Sequence, residues 1–418
     1  MREAIQLSSF ENSKAKSNQY LWMLFAICFL SGVFGGTVSA LMSVYLPVAV
    51  KTLLGDTDQS QLEQVSAYIN SIFIFGWMFG GFAWGVLCDR FGRKKSIILS
   101  TACYGLFTLT TAIAPTWMWV VVSRFFSGFG VGGVLVTTAI MISEVWSEKN
   151  KAIALGILSI TIPVGIFSAG LIDYFISDWR QAFYIGIIPV LLAIISIGTL
   201  KESEKWNIYK SSSFEENENN SSLMSLDIRK DLITGCIIFG SMLIGLWAVF
   251  AWLPTWVQSL MQNENGQKQR GISMMIFASG GLTGGFISGW ITNAIGMRKT
   301  MMACFAGCFI LCFILFKLNS SITALAYVEM ALIALFFGIS QGVLTVYIPE
   351  LFPTPVRASA TGFCFNVGRL FTATVVFFVG SLVSLLGGYG NAIFIFSFVF
   401  VAGFIATLYA SEKNVVES

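Results

Sequence analysis

Long stretches without charge dominate this 418-residue sequence. The first runs from Tyr20 to Val50, and about 20 apolar residues are enough to cross a bilayer as a helix. The stretch exceeds the roughly 7 to 15 residues of a secretory signal core, so we interpret it as a permanent span. Only 11% of all residues are charged, whereas soluble proteins carry about a quarter. We therefore predict a polytopic membrane protein, and a soluble enzyme, a disulfide scaffold or a disordered chain is disfavoured.

Short polar segments divide the chain into twelve predicted membrane-spanning helices. They cover residues 20–48, 65–88, 96–115, 117–144, 151–175, 181–200, 232–261, 271–292, 299–317, 322–350, 357–386 and 389–410. Most of the 25 lysines and arginines fall in the two tails and in the segments that follow even-numbered helices. Because basic residues stay on the cytoplasmic side of short loops, we predict a cell inner membrane protein with both termini cytoplasmic.

The longest polar stretch, Lys201 to Asp231, separates two halves of six predicted helices each. Its composition cannot form a core, so we interpret it as a solvated cytoplasmic linker. The predicted domains are an N-terminal tail (1–19), an N-terminal bundle (20–200), the linker (201–231), a C-terminal bundle (232–410) and a C-terminal tail (411–418).

The sequence contains no histidine, and its eight cysteines all fall within or at the ends of predicted helices. Histidine is the commonest metal ligand and the commonest base at neutral pH. Cys304, Cys308 and Cys312 share a helix face, and we interpret them as small side chains that fill buried space between helices. We therefore predict no metal, no cofactor and no enzymatic activity, and transport is favoured over catalysis.

The chain repeats itself at an offset of about 205 residues. Gly85–Lys95 and Gly289–Lys299 both contain the pattern Gly-x3-Asp/Asn-x2-Gly followed by basic residues. Glu144–Gly156 and Glu350–Gly362 share a glutamate, an aromatic residue, a basic residue, an alanine and a glycine in matching positions. These two matches indicate a duplicated six-helix unit.

Gly85–Lys95 resembles the loop signature of the major facilitator superfamily, although the second copy has Asn293 in place of the aspartate. Arg124–Gly133 is similar to the R-x-x-x-G-x-G-x-G-G motif of the same family, and Pro349–Pro353 followed by Arg357 resembles its sugar-porter and organic-acid symporter branches. The resemblance covers essentially the whole chain. It implies an all-α membrane protein with twelve transmembrane helices in two pseudo-symmetric bundles, a central cavity and rocking-type alternating access.

The resemblance also implies a set of charged gating residues at the cytoplasmic ends of the helices. These residues hold the cytoplasmic ends of the two halves together in the outward-open state. The set comprises Asp89, Arg93, Glu144, Arg298, Glu350 and Arg357. We expect Glu144 to pair with Arg93, and Glu350 to pair with Arg298 or Arg357. The alternative is that these charges mark cytoplasmic loops and cap helices. The glycine runs within 76–85 and 280–285 are interpreted as close helix packing.

Charged residues inside predicted spans are candidates for function, because an ionised group there costs about 2.5 to 3.5 kcal/mol unless it faces a cavity or a partner. Arg369 lies about 18 Å along its helix from Arg357, close to the bilayer midplane. Asn366 lies one turn away on the same face. Arg124 and Glu329 are at equivalent depths in the two halves.

Two arginines in a cavity favour an anionic substrate, because guanidinium groups pair with carboxylates bidentately. The predicted substrate contacts are Arg124, Arg369, Asn366, Gln341 and Trp247. For Arg124 the alternative is packing or proton coupling, and for Arg369 it is bonding to helix-end carbonyls. Trp247 is expected to stack on substrate, with an interfacial belt or packing as its alternative.

Proton coupling has one candidate carboxylate. The first predicted helix contains no acidic residue, unlike that of many organic-acid proton symporters, so ordinary symport loses support. Glu329 is the best remaining acid within a span, and we predict it to carry the coupled proton. The alternative is that Glu329 is hydrated near the outer boundary.

The sequence thus predicts a monomeric secondary active transporter that takes up a small organic anion, coupled to protons and without nucleic acid partners. A carboxylate, a sugar acid or a carboxylate siderophore would fit. Three alternatives remain open, namely a neutral sugar or metabolite porter, a multidrug-type efflux pump and a transporter-like receptor.

Overall fold

Helices make up nearly all of the computed structural model, which describes residues 2–55, 58–206, 226–261, 266–353 and 357–410. In chain order the helices are α1 (Arg2–Leu54), α2 (Gln59–Phe91), α3 (Arg93–Ala112), α4 (Trp117–Val145), α5 (Glu148–Ser159 and Thr161–Phe175), α6 (Trp179–Phe183 and Ile187–Thr199), α7 (Leu226–Leu260), α8 (Gln267–Ile295), α9 (Met297–Phe313), α10 (Ala324–Glu350), α11 (Arg357–Leu386) and α12 (Tyr389–Tyr409). A 3₁₀ turn joins the two parts of α6, and a π turn extends α9 to Leu318.

Eleven helices in the described ranges are long and apolar enough to cross a membrane. The remaining predicted span is α3. Its hydropathy is lower because it contains several serines and threonines, among them the buried Ser100 and Thr108. It nevertheless packs between α4 and α6, as a member of the bundle does. The predicted all-α membrane fold is confirmed.

Helices α2 and α8 begin earlier in the chain than the sequence predicts. Helix α2 begins at Gln59 and α8 at Gln267, so Glu63 and Arg270 lie buried within helices. The sequence predicts Arg270 in a loop, because charged residues usually mark the limits of membrane spans. Arg270 is bonded to Gln258 and to the buried Asp173, and Glu63 Oε1 accepts a hydrogen bond from the exposed Gln59. A hydropathy pattern does not show such partners.

Two helices begin within the segments that the sequence assigns to the N-terminal tail and the linker. Helix α1 starts at Arg2, inside the predicted tail 1–19, and α7 starts at Leu226, inside the predicted linker 201–231. The centre of the predicted linker and the C-terminal tail lie outside the described residues.

Backbone contacts through glycine repeat in the two halves. A Cβ atom on Gly76 or Gly80 of α2 would collide with the α4 carbonyls of Phe125 and Phe129. In the second half, Gly284 of α8 is as close to the α10 backbone. Small residues let neighbouring helices approach this closely. The predicted packing role of these glycines therefore holds at the same interface in both halves.

The two halves meet along α2 with α11 and along α5 with α8. We call the end of the molecule where α6 ends and α7 begins the inner end, and the opposite end the outer end. At the outer end the halves touch, since Tyr68 of α2 stacks on Phe377 of α11 with ring centroids 4.9 Å apart.

At the inner end the same helices carry glycines with open space beside them. A Cβ atom there would meet no atom within 4 Å. These glycines are Gly81 and Gly85 of α2, Gly156 of α5, Gly289 of α8 and Gly362 of α11. The halves are therefore in contact at the outer end, whereas these glycines of the inner end face open space.

Candidate functional site

A crevice between the halves lies on the inner side of the middle of the molecule. It has a volume of about 450 Å³ and is lined by Met78 and Phe82 of α2 and by Phe363, Asn366 and Leu370 of α11. This volume lies in the range of small-molecule sites, which is about 300 to 1,000 Å³. Most of the wall is apolar, and Asn366 contributes a polar group.

Arg369 lies beside Asn366 on the same face of α11, because three residues are close to one helical turn. Its Nη1 atom is 3.4 Å from Asn366 Oδ1, while Asn366 Nδ2 donates to the Gly362 carbonyl at 2.8 Å. Arg369 is half-buried, and among the described residues no carboxylate forms an ion pair with it. The guanidinium therefore has hydrogen-bond donors to offer to an anion.

An aromatic cluster joins the two halves near the crevice residue Met78. Trp247 of α7 packs edge-on against Trp77 of α2, with ring centroids 5.5 Å apart, and against Phe250 at 5.1 Å. Phe73 and Val376 belong to the same buried cluster. Trp77 and Trp247 come from different halves, so this contact joins the two halves.

Gln341 lies half-buried on α10. Its Nε2 atom is enclosed and has no hydrogen-bond partner. An unpaired buried donor costs about 1 to 3 kcal/mol, so a ligand oxygen or water that accepted from it would be stabilised.

Arg124 occupies a different environment, inside the N-terminal half. It is fully buried on α4, donates from Nη1 to the Val38 carbonyl at 2.9 Å, and lies over the Phe73 ring with its Cζ atom 3.9 Å from the centroid. These contacts tie α4 to α1 and α2. Of the two roles that the sequence leaves open, the structure favours packing over substrate contact.

Glu329 lies near the outer start of α10. It is buried, and its Oε2 atom accepts a hydrogen bond from Asn319 Nδ2 at 2.7 Å. Asn319 Nδ2 also lies within bonding distance of the Ile314 and Leu315 carbonyls at the end of α9. Glu329 therefore contacts a residue of its own half.

The first copy of the repeated loop carries a charge network within the N-terminal half. Arg93 Nη2 lies 2.7 Å from Glu144 Oε1, and Arg93 Nη1 lies 3.2 Å from Asp89 Oδ1. The expected pairing of Glu144 with Arg93 is present. The Asp89 side chain is 71% exposed, so the Glu144 contact is the more sheltered of the two.

The start of the predicted linker supplies two residues that sequence reasoning missed. The Glu202 carboxylate accepts from the backbone nitrogens of Arg93 at 2.7 Å and Lys94 at 3.1 Å, which caps the start of α3. Trp206 is buried, and its Nε1 atom donates to the Asp89 carbonyl at 2.9 Å. Glu202 lies 109 positions from Arg93 in the sequence, so only the fold brings this carboxylate to the start of α3.

The second copy of the loop is arranged differently. Arg298 donates from Nε to the Thr407 carbonyl at 3.0 Å and also to the Leu408 carbonyl, at the end of α12. Arg357 donates to the Phe352 carbonyl at 3.2 Å. Glu350 is exposed, and within the described ranges it forms no ion pair with either arginine. The expected second-copy pairs are absent here, because both arginines bind backbone carbonyls instead.

Metal ligands do not cluster in the part of the chain that the structure describes, where no group of three or more His, Cys, Asp or Glu side chains could hold an ion. The three cysteines of α9 are buried and free.

Comparison with known proteins agrees with the fold. Residues 29–373 match the profile of the Major Facilitator Superfamily. The cis,cis-muconate transport protein of Acinetobacter baylyi is 26% identical, with 96% of this chain and 98% of that protein covered. The sialic acid transporter NanX of Escherichia coli is 27% identical, with 89% and 90% covered. The inward-open structure of the Escherichia coli xylose transporter XylE has a TM-score of 0.78 at 17% identity, covering 94% of this chain and 98% of that one.

Proposed function

The chain belongs to the major facilitator superfamily, and from this premise we propose that it takes up a small organic anion by alternating access between its two halves. Relatives of this chain transport organic acids, among them muconate and sialic acid. The chain is a multi-pass membrane transporter, not an enzyme. We further propose that it resides in a cell inner membrane, as a monomer with both termini in the cytoplasm.

The observation that carries the anion proposal is the position of Arg369. Its guanidinium is half-buried beside the crevice and contacts Asn366, and no carboxylate of the described residues pairs with it. Keeping an arginine near the middle of a membrane is costly unless an anion or water accompanies it. A carboxylate that entered the crevice would accept two hydrogen bonds from the guanidinium and neutralise its charge.

Neighbouring groups would fix the rest of the substrate. Asn366 and Gln341 offer amide groups to hydroxyl or carbonyl oxygens. The edge formed by Trp77 and Trp247 offers an apolar surface on which a ring or a conjugated chain would stack. A small acid with a flat or cyclic body suits this combination better than an acid with a long aliphatic tail.

Proton coupling and the gating charges belong to the same proposal. Glu329 is the candidate proton carrier, and its hydrogen bond to Asn319 would change when the carboxylate gains or loses a proton. The six gating charges would rearrange at the inner end when the halves close there. The open space beside the glycines of the inner end supports this proposal.

Uptake into proteoliposomes tests the proposal. The panel contains labelled muconate, hydroxybenzoate, sialic acid and a neutral sugar, each measured with and without an inward proton gradient. We expect uptake of at least one acid, competition by other carboxylates and little uptake of the sugar. Arg369→Ala should abolish acid uptake, whereas Arg229→Ala, an exposed arginine of the same half, should leave it unchanged.

The outcomes separate the alternatives. Equal uptake of acids by wild type and Arg369→Ala would refute the anion site, and uptake of the sugar alone would indicate a neutral metabolite porter. Binding without any uptake would indicate a receptor. Gradient-dependent uptake that persists in Glu329→Gln would remove Glu329 from the coupling proposal.

A further inference from the structure

A buried ion pair joins the two halves at the outer end. Arg270 Nη2 lies 3.3 Å from Asp173 Oδ1. Asp173 belongs to the last turns of α5 in the N-terminal half, and Arg270 to the first turn of α8 in the C-terminal half. Both side chains are excluded from solvent.

Residues of other helices enclose this pair. Arg270 also donates to Gln258 Oε1 of α7, and Gln267 Nε2 donates to the Asp173 backbone carbonyl at 2.6 Å. From α1, the Tyr45 hydroxyl donates to the Ile176 carbonyl at 2.6 Å, just beyond Asp173. Four helices, two from each half, are thus held together around one charge pair.

The backbones of α5 and α8 are in direct contact next to the pair. A Cβ atom on Gly170 would lie 2.7 Å from the Gly271 carbonyl oxygen, and one on Gly271 would lie 2.7 Å from the Gly170 carbonyl oxygen. This reciprocal approach leaves no room for water between the helices. The pair can therefore persist in this form only while the outer end is closed.

The pair is also incompletely bonded. Asp173 Oδ2 and Arg270 Nε are buried without hydrogen-bond partners. A bidentate, fully satisfied pair would be harder to separate in each transport cycle. When the halves part, water can hydrate both ions, so a contact that is strong in the dry closed state becomes weak in the wet open one.

From this geometry we propose that Asp173 and Arg270 form a latch that holds the outer end closed. They are positioning residues for the alternation between states, distinct from the Arg369 site and from the gating charges of the inner end. Separation of the two charged groups accompanies opening of the outer end, and their re-pairing stabilises the closed arrangement.

The distance between the outer ends of the two halves tests this latch. Spin labels are attached to Ser60→Cys at the start of α2 and Ser321→Cys before α10, both exposed outer positions, after replacement of the eight native cysteines. Distances are measured by pulsed electron paramagnetic resonance in lipid nanodiscs without substrate. We expect one short, closed population in the parent protein.

Three variants change the latch. In Asp173→Asn and in Arg270→Gln, we expect the ratio of open to closed populations to rise about tenfold or more, since a single change leaves an uncompensated buried charge. In the double variant Asp173→Asn/Arg270→Gln, the open population should remain raised while thermal stability recovers towards that of the parent. The matched control is Asp178→Asn, an exposed N-cap of the same half.

The double variant decides the outcome even if either single variant fails to fold. A distance distribution like that of the parent in the double variant would overturn the latch, as would an equal shift in Asp178→Asn. Because no substrate is present, the result is independent of the proposed anion specificity.

Discussion

Arg124 and Arg369 lie within membrane-spanning helices, one in each half, yet their surroundings differ. Arg124 is fully buried, bonded to the Val38 carbonyl and stacked over Phe73. Arg369 is half-buried beside a crevice and contacts Asn366 at 3.4 Å. Arg124 is thus held by one carbonyl and one aromatic ring of its own half, although its Nε atom is buried without a partner among the described residues, whereas Arg369 lies beside a crevice. Depth in the membrane alone does not identify a binding residue.

The repeated loops show the same division between the halves. Arg93 binds two carboxylates, and the next residue, Lys94, donates to the Ile197 carbonyl near the end of α6. In the second copy Met297 stands at the position of Arg93, and Arg298, at the position of Lys94, binds the carbonyl end of α12. The two copies therefore share a basic residue that binds a helix end, whereas the carboxylate contacts of Arg93 cannot form at Met297.

The largest effect is expected from removing Arg369, which has no carboxylate partner among the described residues. Arg369→Ala should weaken binding of the transported acid by about 30-fold or more, because losing one partner of a desolvated charge pair costs about 2 to 5 kcal/mol. Arg369→Lys should recover part of this loss, since it keeps the charge but loses the bidentate geometry. Binding is measured by isothermal titration of the purified protein. Equal affinities of wild type and Arg369→Ala would contradict the division between the two arginines.

Removing Arg124 should lower the stability of the folded protein and leave its substrate affinity unchanged. Arg124→Met loses the hydrogen bond to Val38 and the cation–π contact, so we expect a loss of about 1 to 3 kcal/mol in stability and a lower melting temperature. The surviving folded protein should keep the wild-type substrate affinity. The melting temperature in detergent and the titration are measured on the same samples. A loss of affinity at an unchanged melting temperature would place Arg124 in the substrate site.

Much of the fold follows from the sequence, because long apolar runs and an internal repeat leave few alternatives. The outer limits of α2 and α8 do not, since Glu63 and Arg270 look like loop residues until their buried surroundings are known. The role of Arg124 was equally open, because a motif names the residue but not its partners. Glu202 was overlooked because it begins a polar segment, although its carboxylate caps α3.

The two loop arginines should differ in the size and kind of their effects. Arg93→Gln removes the sheltered contact with Glu144 and should destabilise the protein by about 1 to 3 kcal/mol. Arg298→Gln removes the guanidinium donor to the Thr407 and Leu408 carbonyls and should cost about 0.5 to 1.5 kcal/mol. Thermal unfolding of the two variants in the same lipid gives the comparison. Equal melting temperatures would mean that the carboxylate contact of Arg93 is no stronger than the carbonyl contacts of Arg298.

The smallest effect on stability is expected when the first loop is given the residue of the second. Asp89→Asn places at position 89 the amide that position 293 carries. Because the Asp89 side chain is 71% exposed, its ion pair with Arg93 contributes little, and the change should stay within about 0.5 kcal/mol. The maximal uptake rate should nevertheless fall at an unchanged KM, since the proposed gating contact of Asp89 forms when the inner end closes. Rates from proteoliposomes and melting temperatures are measured together. An unchanged rate would restrict gating in this loop to Arg93 and Glu144.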